Sequence, residues 1–388
     1  MSPGVLLAKF MRSTCRVILA SPLPPPYTGV EVLTSHLRNV PLGDGFVVET
    51  PFPSRGRPAR EKGEFSLRNI LKTFDDLARL WRSLGAPGPR LVLTNLVQNS
   101  AGLLRYGAFV HAARLRRAPV AVISHGDGFS SFWEGAPRWL RWWVRGVFRR
   151  MDRILLHAPA LARQYGGLAD SRRFVHVAPG IPSPAGPEAR SGKHRLRICF
   201  IGYLTRAKGA HDLIRAALEI LKERDVEFHF IGDHIPVERN VHRAAGGDNR
   251  AEVIRLVGEK PDPRLIFHGP KPEAEKWTLL GGSDIFALPS HSEALPVAVL
   301  EALACGLPQV LTPVGGIPQT VEEEVHALFV PVGDVARLRE ALVRLIDDGG
   351  LRRRMGLAGR KLYEERHTPE RYGRRLREVF EGMIDGPR

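Results

Sequence analysis

Short apolar runs alternate with amphipathic helical patterns along most of this 388-residue chain. In the first half, CRVILASP (15–22), RLVLTNL (90–96) and PVAVISHGDG (119–128) are each followed by turn residues, and LRNILKTFDDLARLWRSL (67–84) has helical periodicity. Strands that alternate with helices pack as a parallel sheet with helices on its faces. The pattern therefore predicts a doubly wound α/β fold.

The alternation starts again after IPSPAGPEARSGKHR (181–195), a stretch rich in Pro, Gly and charge that is typical of a linker. The second half predicts strands at 197–202, 227–233, 265–270, 284–290, 309–314 and 327–332, and helices at 211–224, 273–282, 296–306 and 335–348. Two α/β domains of ordinary size result. We place an N-terminal domain over 1–185, a linker over 186–196, a C-terminal domain over 197–365, and over 366–388 a last helix that can pack back on the N-terminal domain.

The excess of positive over negative charge is confined to the first half of the chain. Residues 1–195 carry 29 Lys and Arg against 12 Asp and Glu, a difference of +17, whereas residues 196–388 carry 28 against 29, a difference of −1. This asymmetry favours a partner of opposite sign, such as nucleic acid, anionic lipid or an acidic substrate. An arginine-rich proteome is the alternative, but it would raise both halves alike.

Composition and cysteine usage indicate a globular protein of a reduced compartment. Hydrophobic residues make up 43% of the chain and charged residues 25%. Cys15, Cys199 and Cys305 are far apart and form no metal-ligand spacing. Basic residues interrupt the apolar runs of the first twenty residues, and no run reaches about 18 apolar residues. We therefore expect a cytoplasmic protein without a signal peptide or a spanning helix.

Glu293 and Glu301 are the only charges in the otherwise largely apolar stretch SEALPVAVLEALACG (292–306). Pro296 suits the first turn of a helix, which places Glu293 in the loop before that helix and Glu301 on it. The helix N-terminus between them offers unpaired N–H groups and a positive dipole end, to which an anion can bind. One carboxylate could hold a polar group on each side of the anion, and a nucleotide sugar has that layout.

Two other interpretations of this pair stay open. Glu293 can favour the helix dipole while Glu301 is an ordinary surface residue. The acid and the nucleophile of a glycosidase are the second alternative, but they would have to flank one glycosidic bond, and their placement in one short segment disfavours this.

The pattern E-x7-E followed by ALACGLP and VGGIP resembles the retaining GT-B glycosyltransferases of family 4. FIGYLTRAKGAHDLIRAA (200–217) is similar to their G-x-L-x-x-x-K-G segment, and residues 268–316 are similar to their nucleotide-sugar segment almost throughout. The stretches at 333–348 and 366–380 resemble their closing helices. The resemblance covers most of the chain and implies the GT-B fold, in which two Rossmann-like domains face each other across a cleft.

The resemblance also implies which residues bind the donor. Glu293 would hydrogen-bond hydroxyls of the donor sugar, and the backbone N–H groups of Ala294 and Leu295 would lie near it. Glu301 would bind the ribose hydroxyls.

Lys208, with Arg206, would neutralise the diphosphate and stabilise it as it leaves, because charge develops on the leaving group. Outside this context a lysine before a helix is an ordinary solvated residue. The family often has Arg where Tyr203 stands, and Arg206 would supply that charge. Lys208, Glu293 and His125 are the residues that we predict to be catalytic.

Two residues of the N-terminal half also have counterparts in the family. Gly29 corresponds to a glycine loop, where a backbone without Cβ can approach phosphate. His125, at the end of PVAVISH, corresponds to a histidine that contacts the donor sugar and the acceptor side, although a lone histidine after a strand is more often structural. This chain departs from the family at Thr28, where a second glycine is frequent, and at Gln319, where Glu commonly follows VGGxP.

Several motifs of other chemistries are absent from the sequence: D-x-D, the P-loop, H-E-x-x-H, G-x-S-x-G and G-x-G-x-x-G. Protein cations would then do what a metal does in the other glycosyltransferase fold. We expect no metal and no cofactor, because the nucleotide sugar is a substrate.

The stretch PRWLRWWVRGVFRRMDRILL (137–156) has two stripes at helical spacing. One consists of Arg138, Arg141, Arg145 and Arg149, and the other of Trp139, Trp143, Val147, Met151 and Ile154, with Trp142 beside it. Such an amphipathic helix suits an anionic membrane surface. Packing of the apolar stripe on the sheet is the alternative, and both can hold.

We therefore predict a metal-independent, retaining hexosyltransferase that uses a UDP- or GDP-linked sugar and a lipid-linked or cell-envelope polysaccharide acceptor. It would be cytoplasmic and associate peripherally with the inner face of the membrane through its basic N-terminal domain.

Three rival functions remain. A nucleotide-sugar hydrolase or epimerase of the same fold would consume donor without an acceptor. A nucleic-acid-binding protein would fit the sequence pI of about 10.4 but not residues 268–316, and we expect no nucleic-acid partner. A silent regulator is disfavoured by the intact Glu293, Glu301 and Lys208.

Overall fold

The computed structural model describes residues 14–21, 23–24, 29–53, 66–183, 195–233 and 249–385. The chain divides into two compact units, one with residues 1–180 and 369–388 and one with residues 181–368. Most of the predicted linker, 186–194, lies outside the described residues, as does Thr28.

The N-terminal unit contains a six-stranded parallel sheet in the order β2-β1-β3-β4-β5-β6. Its strands are β1 (Cys15–Ala20), β2 (Phe46–Glu49), β3 (Arg90–Leu96), β4 (Val120–Ser124), β5 (Arg153–Leu156) and β6 (Phe174–His176). Its helices are α1 (Gly29–Arg38), α2 (Leu67–Gly85), α3 (Ser100–Leu115), α4 (Phe129–Gly135) and α5 (Arg138–Phe148), with two 3-10 segments, Pro159–Tyr165 and Ser171–Arg173. The central strands β3 and β4 are buried almost throughout, which explains their continuous apolar runs.

The C-terminal unit repeats this plan, with the strand order β12-β11-β10-β7-β8-β9. Its strands are β7 (Leu196–Ile201), β8 (Val226–Ile231), β9 (Leu265–Gly269), β10 (Ile285–Leu288), β11 (Gln309–Leu311) and β12 (Ala327–Phe329). Its helices are α6 (Ala210–Ile220), α7 (Asn249–Val257), α8 (Glu273–Gly281), α9 (Val297–Ala304), α10 (Ile317–Thr320), α11 (Val335–Asp347) and α12 (Gly349–Arg366), and Arg206–Lys208 forms a 3-10 turn.

The last helix, α13 (Pro369–Ile384), belongs to the N-terminal unit although it follows the C-terminal one in sequence. Its buried residues Tyr372, Leu376 and Phe380 pack in one apolar cluster with Val17 of β1 and Leu93 of β3. The sheet of the N-terminal unit therefore has a part of its core from the end of the chain.

All strand pairs of both sheets are parallel, so the prediction of a doubly wound α/β fold is confirmed. In such sheets ligands bind beyond the carboxyl ends of the strands, where the strand order reverses. In the C-terminal unit that switch point lies between β7 and its neighbour β10. The loops that leave these two strands carry Lys208 and Glu293.

The prediction of one helical stripe over 137–156 is wrong in its second half. Helix α5 ends at Phe148, and Ile154 lies in strand β5, so neither it nor Met151 extends the helical stripe. The buried face of α5 consists instead of Leu140, Val144, Val147 and Phe148. The short apolar run 154–156 of this buried strand has only three residues, and a run of that length looks like a continuation of the helix in sequence.

Candidate active site

Lys208 and Glu293, which are 85 residues apart in sequence, form an ion pair at the switch point of the second sheet. Lys208 Nζ donates to Glu293 Oε1 at 2.6 Å. Glu293 is 7% exposed, and the side chain of Lys208 is 30% exposed. A nearly buried carboxylate thus sits beside a cation that solvent can reach, at the edge where this type of sheet binds ligands.

The position of Lys208 depends on a tight turn after β7. Thr205 Oγ1 accepts a hydrogen bond from the Lys208 backbone N–H at 3.3 Å. Gly209 follows in the left-handed region (φ 70°), and a Cβ at this position would overlap the carbonyl group of Pro289. Only glycine satisfies both conditions, which explains why a glycine follows the lysine.

Glu293 is oriented by the loop between β10 and α9. Ser290 Oγ donates to Glu293 Oε1 at 2.9 Å, and Thr312 Oγ1 donates to the backbone carbonyl of Ser290. Gly315 adopts a positive φ of 57°, and a Cβ there would overlap the Glu293 carbonyl oxygen. The VGG segment after β11 is therefore in direct backbone contact with the Glu293 loop.

Two backbone donors lie between Glu293 and helix α9. The N–H groups of Ala294 and Leu295 donate to no acceptor among the described residues, although both residues are buried. The carbonyl of Ala294, by contrast, accepts from the N–H of Gly316 at 2.6 Å. The loop is thus held by its carbonyl groups, and its N–H groups are left for a ligand that accepts hydrogen bonds.

Glu301 lies on α9, little more than one turn from its start, and is 2% exposed, so it is not a surface residue. Its Oε1 accepts a hydrogen bond from Lys276 Nζ of helix α8 at 2.5 Å. Burial, with the Glu301 carboxylate as a further cause, raises the pKa of the Cys305 thiol to about 12. Each carboxylate of the E-x7-E pattern therefore forms an ion pair with a lysine from another element: Glu293 with Lys208 and Glu301 with Lys276.

Arg206 points to a different partner. Its guanidinium forms a two-pronged ion pair with Glu252 of α7, through Nε at 2.9 Å and through Nη2. His211 Nε2 lies 3.3 Å from the same carboxylate. Binding of a diphosphate by Arg206 would require it to leave or share Glu252, and that predicted role stays a prediction.

His125 in the N-terminal unit follows β4 and has both ring nitrogens engaged. Its Nε2 is 3.0 Å from Asn95 Oδ1, and its Nδ1 is 3.3 Å from His157 Nε2. Burial, and then the neighbouring His157, hold the pKa of His125 well below its usual range. Burial lowers the pKa of His157 to about 4. Both imidazoles are therefore neutral at pH 7.

Gly29 is the first residue of α1 and is exposed. Its φ is not positive, and a Cβ would meet nothing within 4 Å. The described fold does not itself require glycine here, and the predicted approach of a phosphate stays a prediction.

Sequence patterns did not single out Lys276, Asn95 or His157. The helical stretch EAEKWTLLG gives no sequence signal for Lys276, whose side chain is 13% exposed and which lies one turn before the buried Leu280. Asn95 at the end of β3 and His157 after β5 follow parallel strands, where functional side chains converge. Among the described residues, no group of three His, Cys, Asp or Glu is arranged to hold a metal ion, and no helix is long and apolar enough to span a membrane.

Solved structures show which class of fold these two sheets form. The Anabaena protein Alr3699/HepE in complex with UDP superposes with a TM-score of 0.68 at 15% identity, over 95% of this chain and 100% of that one. Sucrose-phosphate synthase of Thermosynechococcus elongatus superposes with a TM-score of 0.69 at 16% identity, over 96% of this chain and 100% of that one. Two parallel six-stranded sheets with flanking helices are the GT-B fold of glycosyltransferases, and this fold prediction is confirmed.

Residues 187–362 match the family Glycosyl transferases group 1. A D-inositol 3-phosphate glycosyltransferase of Corynebacterium jeikeium is 33% identical over 161 residues, which are 41% of this chain and 37% of that protein. The glycosyltransferase WcaL of Escherichia coli, named for colanic acid biosynthesis, is 29% identical over 316 residues, which are 73% of this chain and 72% of that protein. Residues 187–362 are thus similar to group 1 glycosyltransferases, and the chain spans only 35–42% of the length of four of the curated relatives that it matches.

Proposed function

We propose that this protein transfers a sugar from a nucleoside diphosphate donor to a lipid-linked or cell-envelope saccharide acceptor. The observation that carries the proposal is the convergence of Lys208, Glu293 and the free N–H groups of Ala294 and Leu295 at the switch point of the second sheet. A cation and N–H donors suit a diphosphate, and the carboxylate beside them suits a sugar hydroxyl. The family match supports the proposal, and so do the structural neighbours, which are described as complexes with UDP and with UDP-glucose.

In this proposal the donor lies with its sugar at Glu293 and its diphosphate at Lys208. The ammonium group has three N–H donors and gives one to Glu293, so it can bind the diphosphate with the others. When the bond between sugar and phosphate breaks, its electron pair stays on the phosphate oxygen, and Lys208 stabilises the charge that develops there. We infer metal independence from this cation, and retention of configuration from the resemblance to family 4.

The donor can be identified from thermal unfolding of the protein with UDP, GDP, ADP and a panel of nucleotide sugars, each with and without Mg²⁺. A ligand at a hundred times its dissociation constant stabilises the folded state by about 2.7 kcal/mol. We expect one base to raise the unfolding temperature without metal. No shift with any of them, together with salt-sensitive binding to DNA, would replace the proposal by a nucleic-acid function.

Glu293→Ala and Lys208→Ala should each abolish sugar transfer while the chain stays folded. Glu219→Ala and Lys222→Ala are matched controls, because these residues form an exposed ion pair at 2.8 Å in the same unit. The controls should turn over like the wild type. Normal turnover by either site variant would refute the assignment of the site.

A hydrolase or an epimerase of this fold would use the same donor site. Incubation of the identified nucleotide sugar without acceptor separates these activities from transfer. We expect little free sugar or epimer in that reaction and a large increase in nucleotide release when lipid-linked saccharides are added. Full-speed donor consumption without acceptor would favour the alternative.

The N-terminal unit has exposed aromatic residues that support peripheral association with an anionic membrane. On α5, the apolar face towards the sheet is complete without Trp139 and Trp142, which are 58% and 76% exposed. Trp143, in contrast, stacks on His111 with ring centroids 4.7 Å apart. Packing of α5 on the sheet therefore does not require Trp139 and Trp142. Both lie beside the exposed Arg138 and Arg145, a combination that suits an anionic membrane surface.

Helix α2 adds a second apolar stripe near the same edge of the unit. Leu67, Ile70, Leu71 and Phe74 are exposed at positions i, i+3, i+4 and i+7. Helices α2, α3 and α5 lie side by side, and each leads into the next strand of a parallel sheet. Their first turns thus lie at the carboxyl edge of the strands, where His125 also lies.

Vesicle binding tests this surface directly. We expect the protein to float with vesicles of phosphatidylglycerol and phosphatidylcholine, and the variants Trp139→Ser/Trp142→Ser and Leu71→Ser/Phe74→Ser to lose most of that binding. Leu115→Ser is the control, because Leu115 is 75% exposed but lies at the end of α3, at the opposite edge of the strands. Equal vesicle binding by the wild type, the two double variants and the control would refute the assignment of this surface to membrane binding.

A further inference from the structure

We propose that donor binding is coupled to proton uptake by His211: when the donor's diphosphate takes Arg206, His211 accepts a proton from the solvent and replaces Arg206 as the partner of Glu252. This inference rests on the proposed function, because it concerns how Arg206 becomes available to the diphosphate of the same donor.

Arg206 is held by a carboxylate of helix α7. Its guanidinium binds Glu252 through Nε, at 2.9 Å, and through Nη2, and this forked geometry is the strong form of an arginine–carboxylate pair. The Arg206 side chain is nevertheless 46% exposed, and it lies in the same 3-10 turn as Lys208. A diphosphate bound at Lys208 therefore competes with Glu252 for Arg206.

A second basic group lies beside the same carboxylate. His211 Nε2 is 3.3 Å from Glu252 Oε2, and His211 is 1% exposed. Neither ring nitrogen of His211 forms a hydrogen bond with the described residues. The neutral ring therefore gains little from this contact, whereas a charged ring would have a carboxylate within ion-pair distance. His211 is thus placed to bind Glu252 as a cation once Arg206 has left.

Arg206 itself helps to keep His211 neutral. Burial, and then the cations Arg206 and Arg215, lower the pKa of His211, whereas the neighbouring Asp212 acts in the opposite direction. When Arg206 turns to the diphosphate, one of the lowering causes is removed and the Glu252 carboxylate loses its cation. Both changes raise the pKa of His211. Donor binding therefore takes up a proton at any pH between the two pKa values that His211 has without and with donor.

Other charged groups that pack around helix α6 are paired elsewhere. His291, from the loop after β10, binds Asp212 of α6 at 2.7 Å. Helix α11 pairs with residues beyond the end of α6: Arg339 with Glu223 and Asp347 with Arg224. Of the described basic residues, Arg206 and His211 are the ones that form an ion pair with Glu252. His211 is therefore the group that can take the place of Arg206.

The test measures proton uptake and donor affinity in the full-length protein. The probe is whichever of UDP-glucose, GDP-mannose and ADP-glucose binds most tightly, because the diphosphate of a nucleotide sugar does not itself titrate near neutral pH. Calorimetric titration in buffers of different ionisation enthalpy counts the protons taken up. At its maximum between about pH 5.5 and 8, we expect the wild type to take up about half a proton or more. It should bind about three- to tenfold more tightly at pH 6 than at pH 8.

Two variants should change affinity in opposite directions, which a general loss of folding would not do. Glu252→Gln releases Arg206 and removes the charge that His211 would bind, so it should bind the donor about threefold more tightly than the wild type at pH 8 and take up no proton. His211→Gln should bind like the wild type at pH 8 and lose the gain in affinity at pH 6.

Glu219→Gln and His291→Gln are matched controls that should keep the wild-type proton uptake. Glu219 belongs to an exposed ion pair on α6, and His291 is a second histidine of the same unit bound to a carboxylate. Loss of the uptake in His291→Gln together with full uptake in His211→Gln would overturn the inference.

The exchange can also be measured without nucleotide. Arg206→Gln leaves Glu252 without its permanent cation, so NMR titration of this variant should show a higher pKa of His211 than in the wild type. An unchanged pKa in the folded variant would overturn the inference.

The outcomes separate the coupling from the function on which it rests. If the wild type binds no nucleotide sugar, the proposed function fails and the coupling fails with it. If the wild type binds one without proton uptake, or if His211→Gln takes up as many protons as the wild type, the coupling alone fails.

Discussion

Gly315 shows how a single missing side chain shapes the candidate site. Its φ of 57° is unfavourable for other residues, and its Cα lies against the carbonyl of Glu293. The same contact zone contains the hydrogen bond from the Gly316 N–H to the Ala294 carbonyl at 2.6 Å. The loop that orients Glu293 thus depends on the backbone of another loop, more than twenty residues further along the chain.

Gly315→Ala should therefore damage both stability and donor binding. The left-handed conformation and the overlap with the Glu293 carbonyl together should lower the free energy of unfolding by at least about 2 kcal/mol. Urea unfolding and nucleotide titration measure the two effects. A variant with wild-type values in both would show that the two loops are not held together as described.

Gly29→Ala should behave differently. A methyl group at Gly29 meets open space, so the free energy of unfolding should change by less than about 0.5 kcal/mol. If a phosphate approaches this backbone, as the family resemblance implies, the variant should nevertheless lose turnover. Unchanged stability with unchanged turnover would remove Gly29 from the site.

At the scale of elements, helix α13 packs against strands that are more than 270 residues away from it in sequence. Phe380 is fully buried, and its ring centroid lies 6.1 Å from that of Phe46 of β2. Phe380→Ala should lower the free energy of unfolding of the N-terminal unit by about 3–5 kcal/mol, whereas Phe380→Leu should lower it much less. If urea unfolding shows that both variants lose the same small amount of unfolding free energy, α13 does not contribute to this core.

The neutral histidines beside strands β4 and β5 make the N-terminal unit sensitive to acid. The pKa of His157 is about 4 in the folded protein, against an ordinary value of 6.5. Below pH 6.5 the unfolded chain binds a proton that the folded chain does not, so stability falls as the pH drops from 6.5 to about 4. A difference of this size corresponds to about 3 kcal/mol.

His157→Gln should remove this part of the pH dependence, because glutamine can hydrogen-bond to His125 but does not titrate. The difference in unfolding free energy between wild type and variant should change by up to about 3 kcal/mol, in favour of the variant, between pH 7 and pH 4. Urea unfolding at a series of pH values measures it. Parallel pH curves for the two proteins would contradict the assignment of the burial effect to His157.

The strands and helices that the sequence predicted are those with long, clear periodicity, such as β3 and α2. Strand β2 was missed because it is only four residues long and incompletely buried. Helix α12, with the sequence GGLRRRMGLAGRKLYEER, was missed because glycine and charge dominate it. Both elements form because of their neighbours, and a window of sequence does not contain those neighbours.

At the scale of the whole molecule, charge asymmetry makes a prediction about membrane binding. The first 195 residues carry the whole positive excess of +17, and an exposed charge is screened over about 8 Å at physiological salt and about 3 Å at 1 M. Binding to anionic vesicles should therefore fall steeply between 0.1 M and 0.5 M NaCl, and binding to zwitterionic vesicles should be weak throughout. Salt-independent binding would show that the exposed apolar residues act without the charges.

The sequence alone determined the fold class, the repeat of the fold and the E-x7-E carboxylates, because periodicity and short motifs are local properties. Only the tertiary structure decided the partners: Lys276 for Glu301, Glu252 for Arg206, His157 for His125, and the place of α13 in the N-terminal core. Parallel sheets bring distant loops together at one edge, so contacts between residues 25 to 85 positions apart leave no pattern in the sequence.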